Sequence, residues 1–230
     1  MIAVISDIHA NLSALRAVLE DARGAGCEEF ICLGDIAGYH TEINECIEEL
    51  RGLESLVLIR GNHDQYLLDG SDCPRSGHVS RMLAYQSDII EPDNLKWLSR
   101  GISFFEIGSW YFTHGGPRDN LDQYIYSVSE DVFPARSERL FVGHTHVQAL
   151  IRLGRRVFCN PGSVGQPRDG DPRAAYALLD DDQVILRRVE YDVSETQKNM
   201  EDAGFPDYSY VNLAKGSQIG GRVDSITYSG

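Results

Sequence analysis

The chain has 230 residues, of which 42% are hydrophobic, and its formal net charge at pH 7 is −14. This length and apolar content predict a single globular domain with a substantial buried core. The negative charge repels phosphate backbones and anionic lipids, which argues against non-specific binding to nucleic acid or to a membrane surface. Apolar residues begin at Ile2 without a basic region or a cleavage site, and no apolar run is long enough to cross a bilayer. We therefore expect neither a signal peptide nor a membrane span.

The five cysteines are odd in number and scattered, and no two of them form a Cys-x-x-Cys pair. This pattern favours reduced thiols over a disulfide framework, and none of the cysteines is placed as a metal ligand. We expect a cytoplasmic protein in which Cys159 packs within its strand rather than reacts.

The first half of the chain alternates apolar runs with helical patterns. Strands are predicted over residues 2–6, 30–33 and 56–59, and helices over residues 12–22 and 43–50. Asn11 is the predicted N-cap of the first helix, while Thr41 and Gly52 are predicted to cap and to end the second. Residues 65–100 have a mixed pattern that is helical in parts, with Pro92 opening a short helix.

Strand patterns dominate from Ile102 onward. They are predicted over residues 103–107, 110–113, 140–142, 149–153, 157–159, 175–179 and 184–189. A β-α-β-α-β half followed by a β-rich half predicts an α/β fold in which two packed sheets are flanked by helices. A helix over residues 195–202 and a loose polar tail follow. We therefore divide the chain into a domain over residues 1–191 and a C-terminal helix and tail over residues 192–230.

Polar clusters stand where five of the predicted strands end. They are Asp7-Ile8-His9, Gly34-Asp35, Gly61-Asn62-His63-Asp64, His114-Gly115 and Gly143-His144-Thr145-His146. Five of the seven histidines lie in these clusters, which chance composition does not explain. Residues two apart in an extended segment point to the same side, so Asp7 and His9 can share one ion, and His144 and His146 repeat that spacing. Open α/β sheets bind ligands beyond the carboxyl ends of their strands, so the clusters are expected at one edge.

The clusters provide seven candidate ligands with nitrogen or oxygen donors, namely Asp7, His9, Asp35, Asn62, His114, His144 and His146. Such donors without thiolate suit Mn, Fe, Ni, Co or Zn better than Ca or Mg. Seven ligands exceed one tetrahedral site and are enough for two divalent ions if one carboxylate bridges them. Taken singly, Asp7 could end a strand, His9 could be a loop residue and Asn62 could serve a tight turn. The presence of all five clusters favours ligation.

In this order the five clusters resemble those of the calcineurin-like metallophosphoesterase family, over residues 1 to about 190. The resemblance implies a four-layer αββα sandwich of two mixed sheets flanked by helices. It also implies one ion held by Asp7, His9 and His146, a second held by Asn62, His114 and His144, and Asp35 as the bridge. Within the family the chain is most similar to small prokaryotic phosphodiesterases, through residues 34–39, 114–118 and 160–168. Many members of the family have Gly at the position of Ala10, which is not one of the candidate metal ligands.

The expected chemistry is hydrolysis of a phosphodiester. Two cations about 3.5–4 Å apart lower the pKa of a shared water, and the resulting bridging hydroxide attacks phosphorus in line. His63 adjoins Asn62 but lies outside the ligand set, so it is the candidate general acid for the leaving alkoxide. Asp64 is expected to hold the His63 imidazole oriented and protonated, or else only to cap the following helix.

Four residues are candidate contacts for a small, or nucleotide-like, phosphoester substrate, namely Asn62, Tyr39, Arg118 and Arg168. The last three follow glycine- or proline-rich loops near the expected metal edge, where an arginine can bind phosphate as a bidentate donor. The alternative is that they are ordinary surface residues. His40 and His78 lie outside the clusters and are expected to be exposed rather than functional.

Two other functions are open to a chain of this pattern. The first is a phosphomonoesterase, a protein phosphatase or a dinucleoside polyphosphate hydrolase of the same superfamily. Those protein phosphatases and dinucleotide-cleaving relatives carry Gly-Asp-x-x-Asp-Arg-Gly, whereas residues 34–40 lack the second Asp and the Arg. The second is a non-catalytic interaction module, like a retromer subunit that keeps the fold but has lost ligands and the catalytic His. All seven ligands and His63 are present here, which favours an enzyme.

Overall fold

The structure is a computed structural model that describes residues 1–229, so Gly230 at the end of the predicted tail lies outside the described residues. Within that range the helices are α1 (Leu12–Gly24), α2 (Ile43–Arg51), α3 (Asn62–Asp69), α4 (Gly77–Ile89), α5 (Pro92–Leu98) and α6 (Val193–Asp202). The strands are β1 (Ile2–Ile5), β2 (Glu29–Cys32), β3 (Ser55–Leu58), β4 (Phe104–Ile107), β5 (Trp110–Thr113), β6 (Ser127–Val128), β7 (Arg139–Phe141), β8 (Gln148–Leu153), β9 (Arg156–Pro161), β10 (Ala174–Asp180), β11 (Gln183–Val189) and β12 (Thr227–Tyr228). None of these helices is long and apolar enough to span a bilayer.

The first five-stranded sheet has the order β11-β10-β1-β2-β3. β1, β2 and β3 are parallel, and β10 and β11 complete the sheet in antiparallel pairs. Ile5 is in register with Cys32, and Cys32 is in register with Leu58. The three parallel strands therefore end level, and the loops that follow them leave the same edge.

The second five-stranded sheet has the order β4-β5-β7-β9-β8. β5, β7 and β9 are parallel in its centre, with antiparallel β4 and β8 at its edges. Phe112 is in register with Phe141, and Phe141 with Cys159. The carboxyl ends of these central strands are again level with one another.

The two sheets pack face to face around a shared apolar core. Val4 and Ile31 of the first sheet lie in one cluster with Phe112 and Phe141 of the second. The two phenylalanine rings stack at 5.1 Å between centroids and 9° between planes. Cys159 is fully buried in the same core, as expected from the sequence.

The outer faces of the two sheets are covered in different ways. On the first sheet, Leu15 of α1 and Ile47 of α2 pack with strand residues such as Tyr176. On the second sheet, Phe158 packs against residues 125–133, a segment that contains β6 and a 3-10 turn. The predicted α/β fold with two packed mixed sheets and flanking helices is confirmed, and the layer over the second sheet is largely irregular chain.

The predicted elements are confirmed, with ends that shift by a residue or two. Asn11 caps α1 by accepting a hydrogen bond from the amide of Ala14 at 3.1 Å, and Gly52 ends α2. The prediction that Thr41 caps α2 is wrong. The N-cap is Glu42, whose amide donates to the carbonyl of Ala10 at 3.2 Å, and the helix starts at Ile43 as predicted.

The C-terminal segment is packed rather than loose, in contrast to the predicted tail. β12 pairs with β6 in a parallel two-stranded sheet. The amide of Asp224 donates to the carbonyl of Arg168 at 2.8 Å, and the amide of Gly170 donates to the carbonyl of Gly216 at 2.8 Å. These backbone bonds bring residues 216–224 beside the loop that carries Arg168.

Candidate metal centre

The seven candidate ligands lie together where the edges of the two sheets meet. Each follows a parallel strand: Asp7 and His9 follow β1, Asp35 follows β2, Asn62 follows β3, His114 follows β5, and His144 and His146 follow β7. All seven side chains are buried. The level ends of the strands in both sheets therefore bring together groups that are far apart in the sequence, such as Asp7 and His146.

One group of ligand atoms is formed by Asp7, His9 and His146. Nε2 of His146 lies 3.3 Å from Oδ1 of Asp7 and 3.0 Å from Nε2 of His9. Oδ2 of Asp35 lies 3.8 Å from Nε2 of His9. Asp35 therefore adjoins this first group.

A second group is formed by Asp35, His114 and His144, whose ligand atoms lie within 4.8 Å of one another. Nε2 of His114 lies 3.4 Å from Oδ2 of Asp35 and 3.0 Å from Oδ1 of Asn62. The same Asp35 oxygen thus faces both groups, which is the position that a bridging carboxylate requires.

The orientation of the histidines fits cation binding. Nδ1 of His9 donates to the carbonyl of Ala37, and Nδ1 of His146 donates to the carbonyl of Gln166, each at 2.7 Å. These bonds leave the Nε2 lone pairs of the two neutral rings facing each other at 3.0 Å. Two opposed lone pairs repel unless a cation lies between them, and backbone carbonyls commonly orient metal-binding histidines in this way.

Several buried polar atoms of the site have no hydrogen-bond partner within the described residues. They are Oδ1 of Asp7, Oδ2 of Asp35, Nδ2 of Asn62, Nε2 of His144 and Nδ1 of His63. A buried carboxylate oxygen without a partner is costly, so such atoms call for an unseen ligand. The unpartnered atoms of Asp7, Asp35 and His144 carry lone pairs that a divalent ion would accept.

The electrostatics of the centre also fit a cation. Burial raises the pKa of Asp7 and Asp35, but the neighbouring histidines outweigh it and hold both at about 2. Burial holds the pKa of His9 and of His144 well below its usual range, so these rings are neutral at pH 7. Burial also lowers the pKa of His114, but the charge of Asp35 outweighs it and raises that pKa to about 9, so a bound cation would displace the His114 proton.

The backbone at five of the ligands is strained. The φ angles are positive at Asp7 (55°), His9 (51°), Asp35 (56°), His144 (66°) and His146 (60°). The expectation that Asp7 and His9 share an ion because their segment is extended is therefore wrong in its geometry. Left-handed backbone just beyond each strand turns these side chains toward one another, at a cost of about 1–3 kcal/mol for each residue.

A glycine is required where the loops after β2 and β3 cross. A Cβ on Gly61 would lie 2.0 Å from Oδ1 of Asp35. That oxygen instead accepts a hydrogen bond from the amide of His63 at 2.8 Å. The close approach of the loops thus leaves Oδ2 of Asp35 free to face His9 and His114.

His63 lies at the N-terminus of α3, at the mouth of the centre. Its ring stacks on Tyr39 at 5.2 Å, and its Nε2 lies 3.9 Å from Oδ2 of Asp35. Nδ1 has no hydrogen-bond partner within the described residues. Burial lowers the pKa of His63 to about 4 in the protein without ions.

Within residues 1–229 the Asp64 carboxylate forms no hydrogen bond with the His63 ring, contrary to the expectation that it orients and protonates the imidazole. Its oxygens accept from the amides of Asp35 and Ala37 at 2.9 Å and of Gly61 at 3.0 Å. Burial, together with the charge of Asp35, raises the pKa of Asp64 to about 7. Asp64 therefore stabilises the loop that carries Asp35. Its hydrogen bond with the amide of Gly61 also caps the N-terminus of α3.

Two of the predicted substrate contacts lie beside the centre. Nη2 of Arg168 donates to the hydroxyl of Tyr39 at 2.8 Å, and its guanidinium lies 5.5 Å from the Tyr39 ring. Arg168 is buried, its Nε has no partner among the described residues, and it forms no ion pair there with a carboxylate. A buried cation without a carboxylate partner beside the ligands is placed to receive an anion.

Two expectations are not met. Arg118 lies on the surface, where its guanidinium pairs with Asp131 at 2.8 Å and is 68% exposed, so the structure does not place it against the metal ligands. His40 is buried rather than exposed, because its Nδ1 donates to the carbonyl of His9 at 2.8 Å and its ring supports that ligand from behind.

Two residues near the second group were missed by sequence reasoning. The ring of Tyr124 lies 3.8 Å from that of His144, and Oδ1 of Asp122 lies 3.5 Å from Nε2 of His144. Both lie in the irregular segment after β5, where the sequence has no periodic pattern that would place a side chain. Only the fold of that segment over the second sheet brings them to the centre.

The fold and the site define a class of protein, and comparison with known families agrees. Residues 1–183 match the family model described as the calcineurin-like phosphoesterase superfamily domain. The chain belongs to this family of metal-dependent phosphoesterases, and the resemblance inferred from the sequence is confirmed.

Relatives cover most of the chain. An uncharacterized protein of Methanocaldococcus jannaschii is 34% identical over an alignment of 232 positions. The alignment covers 90% of this chain and 95% of the relative. Phosphodiesterase YfcE of Escherichia coli K12 is 28% identical over 197 residues, covering 77% of this chain and 85% of the relative. A crystal structure of a metallophosphoesterase from Sphaerobacter thermophilus has a TM-score of 0.80 at 35% identity and covers 94% of this chain and 98% of that one.

Proposed function

We propose that the chain is a dinuclear metal-dependent phosphodiesterase. The observation that carries this proposal is the position of Asp35, whose Oδ2 lies 3.8 Å from Nε2 of His9 and 3.4 Å from Nε2 of His114. One carboxylate oxygen between two groups of ligand atoms fits a bridge between two ions. The first ion would be held by Asp7, His9 and His146, and the second by Asn62, His114 and His144, with Mn, Fe, Ni, Co or Zn as the candidate metals.

Two ions held there would supply an activated water as the nucleophile and would neutralise charge on the phosphoryl oxygens. The residues of the chain supply the remaining functions. Nε2 of His63 faces Oδ2 of Asp35 at 3.9 Å, so this nitrogen is placed to give a hydrogen bond to the leaving oxygen, or a proton once the ring is charged. Arg168 would bind a non-bridging phosphoryl oxygen and so position the ester for in-line attack.

A protein phosphatase or a dinucleoside polyphosphate hydrolase is disfavoured because the chain lacks the second Asp and the Arg of the Gly-Asp-x-x-Asp-Arg-Gly motif. The relative from E. coli, named a phosphodiesterase, supports a diester substrate. The five cysteines are all free and buried, which supports a reducing compartment such as the cytoplasm.

The test is hydrolysis of bis(4-nitrophenyl) phosphate and of 4-nitrophenyl phosphate by chelator-treated protein, with Mn, Co, Ni or Zn added back. We expect close to two equivalents of metal per chain, and we expect metal to restore hydrolysis with a higher kcat/KM for the diester. One equivalent at full activity would contradict the dinuclear assignment. A higher kcat/KM for the monoester would favour the phosphomonoesterase.

Asp35→Ala should lower the metal content of the protein more than any other single ligand substitution, because loss of a bridging carboxylate weakens both ion sites. The measurement is metal content by mass spectrometry after dialysis, compared with Asp7→Ala, which should retain the second ion. Asp131→Ala, at an exposed carboxylate, is the control and should bind metal like the unaltered protein. Full occupancy in Asp35→Ala would refute the bridging role.

A further inference from the structure

A cavity of about 500 Å³ opens beside His63 and Arg168. Its walls come from three separate parts of the chain: the segment before α4 with Arg75, the segment after β5 with Tyr124 and Tyr126, and the C-terminal segment with Arg222. This volume is in the range of pockets that bind small organic ligands. The cavity adjoins the metal ligands but contains none of them.

Positive side chains line the cavity, and two of them pair with carboxylates outside the lining. Arg75, Arg168 and Arg222 line it, whereas no Asp or Glu is among its lining residues, in a protein of net charge −14. Asp122 binds the Arg75 guanidinium through two bonds of 2.6 Å, and Asp224 accepts from Arg222 at 2.8 Å. These two carboxylates orient their arginines, whereas Arg168 is buried without a carboxylate partner among the described residues.

Aromatic rings line the same space. The rings of Tyr124 and Tyr126 are nearly parallel, at 6° between planes and 5.8 Å between centroids. The guanidinium of Arg75 lies 5.3 Å from the centre of the Tyr124 ring. Tyr124 is 39% exposed, so the pair is not sealed from a ligand in the cavity. Tyrosine faces stack on planar rings, and bases are bound in this way.

The C-terminal segment gives the cavity its outer wall through Gln218, Ile219 and Arg222. The backbone bonds from Asp224 to Arg168 and from Gly170 to Gly216 hold this wall in place. The net charge of −14 repels a polymeric phosphate backbone, so a small ligand is favoured over a nucleic acid.

We propose that this cavity binds the organic arm of a small phosphodiester, an arm that carries a planar ring and a second phosphate group. The proposal rests on the phosphodiesterase function proposed above and assigns its substrate class. Arg168 lies at the inner end, against the scissile phosphate, while Tyr124 and Tyr126 contact the ring. Arg222 and Arg75 bind the second phosphate. The class that fits is a mononucleotide diester with an additional phosphate.

The test compares three substrates with the same 4-nitrophenolate leaving group. They are thymidine 3′-phosphate 5′-(4-nitrophenyl phosphate), thymidine 5′-(4-nitrophenyl phosphate) and 4-nitrophenyl phosphorylcholine, whose arm is cationic and has no ring. We expect kcat/KM to fall in that order. Equal values for all three would overturn the proposal while leaving the phosphodiesterase function intact.

Two variants distinguish the proposed contact to the second phosphate from the proposed contact to the planar ring. Arg222→Ala should lower kcat/KM about tenfold for the substrate with the 3′-phosphate only, since a hydrogen bond to a charged group is worth about 1.5–3 kcal/mol. Tyr126→Leu should lower it roughly fivefold or more for both thymidine substrates and not for phosphorylcholine. Arg155→Ala, at an arginine that is 86% exposed and paired with Glu138, is the matched control and should leave all three values unchanged.

Binding of thymidine 3′,5′-bisphosphate, measured by titration calorimetry, gives a readout that does not depend on turnover. We expect saturable binding that Arg222→Ala weakens about tenfold and that thymidine does not reproduce. No binding, or equal binding by Arg222→Ala, would overturn the cavity assignment whether or not the protein hydrolyses diesters. Binding without hydrolysis of any diester would instead refute the proposed function and leave the binding site standing.

Discussion

At the residue scale, the site combines strained backbone with buried charge. Five ligands have positive φ, and each is held by bonds from a neighbouring loop, as when the amide of Asp7 donates to the carbonyl of Gly34 at 3.0 Å. Residues with a strained backbone persist only where several contacts from the surrounding structure hold them, and they cluster at functional sites. The loops after β1 and β2 therefore support each other, and a change in one is expected to move the ligands of the other.

On the proposed function, His63→Ala should keep the two proposed ions yet lose about 10²–10⁴-fold in turnover, because His63 lies outside the proposed ligand set and general acid catalysis contributes that much. The loss should be smaller for a 4-nitrophenolate leaving group than for an alkoxide, since the poorer leaving group needs the proton more. Metal content and kcat on both substrates are the measurements.

The control is Arg155→Ala, at an exposed residue outside the cavity, which should leave turnover and its leaving-group dependence unchanged. If the loss in His63→Ala is the same for both leaving groups, His63 positions the phosphate rather than protonating the leaving oxygen. If turnover is unchanged on every diester, His63 has no catalytic role.

Asp64→Ala should destabilise the fold and weaken metal binding together, because the amides of Asp35, Ala37 and Gly61 lose their acceptor. Each buried donor left without a partner costs about 1–3 kcal/mol. The measurements are the free energy of unfolding in urea and the metal affinity. Asp64→Asn, which keeps an acceptor oxygen, should be milder on both. Unchanged stability with lost turnover would restore the idea that Asp64 acts on His63.

At the element scale, the site depends on how α1 begins. Oδ1 of Asn11 accepts from the amide of Ala14 at 3.1 Å and from the hydroxyl of Thr196 at 2.9 Å, and its Nδ2 donates to the carbonyl of Gly165 at 2.9 Å. One side chain thus joins the start of α1, the helix α6 and the loop that precedes Arg168. The cap lies two residues after His9, so it also fixes where the loop after β1 ends.

Asn11→Ala should therefore cost more stability than loss of an ordinary cap, which is typically about 1 kcal/mol. Ser76→Ala is the matched control, because Ser76 caps α4 through one bond of 3.3 Å to the amide of Val79. Urea unfolding of both variants is the measurement. Equal losses would show that the bonds of Asn11 to Thr196 and Gly165 contribute nothing to stability.

At the scale of the whole molecule, ion pairs join elements that are far apart in the sequence. Asp21 of α1 accepts two bonds from the Arg187 Nη2 on β11, at 2.8 and 2.9 Å, and one from the Tyr176 hydroxyl on β10 at 2.6 Å. The bond from Arg187 lowers the pKa of Asp21, despite partial burial, which raises it. The pair thus fastens the first helix to the distal edge of the first sheet, away from the metal centre.

The sign of the pH dependence follows from that lowered pKa. The pair contributes stability above the unfolded pKa of Asp, about 3.9, and this contribution is lost as the pH falls below that value through the folded pKa. Asp21→Asn should therefore be less stable than the unaltered protein at pH 7, by about 1 kcal/mol or less because solvent screens the partly exposed pair. The difference should shrink toward pH 3.

Urea unfolding at pH 7, 5 and 3 is the measurement. Arg16→Gln is the control, since its pair with Glu49 joins neighbouring helices and its side chain is 61% exposed. A difference between Asp21→Asn and the unaltered protein that grows toward low pH would contradict the assigned direction of the pKa shift.

Much of the fold and of the ligand set follows from the sequence by itself. Apolar runs that alternate with 3.6-residue patterns set the order of strands and helices, because burial favours one face of each element. The ends of those runs set where Asp7, Asp35 and His114 occur, since parallel strands deliver their following residues to one edge. Nitrogen and oxygen donors at those ends were enough to predict a metal site.

Only the tertiary structure decided how these residues are aimed and what surrounds them. The left-handed backbone at Asp7 and His9, the bonds of Asp64 to loop amides and the distance of Arg118 from the centre depend on contacts between segments far apart in the chain. The cavity wall formed by residues 216–224 is of the same kind, because a polar tail has no periodic pattern and its place is set by backbone bonds to the loop of Arg168. Local pattern determines which elements form, whereas long-range hydrogen bonds determine which side chains meet.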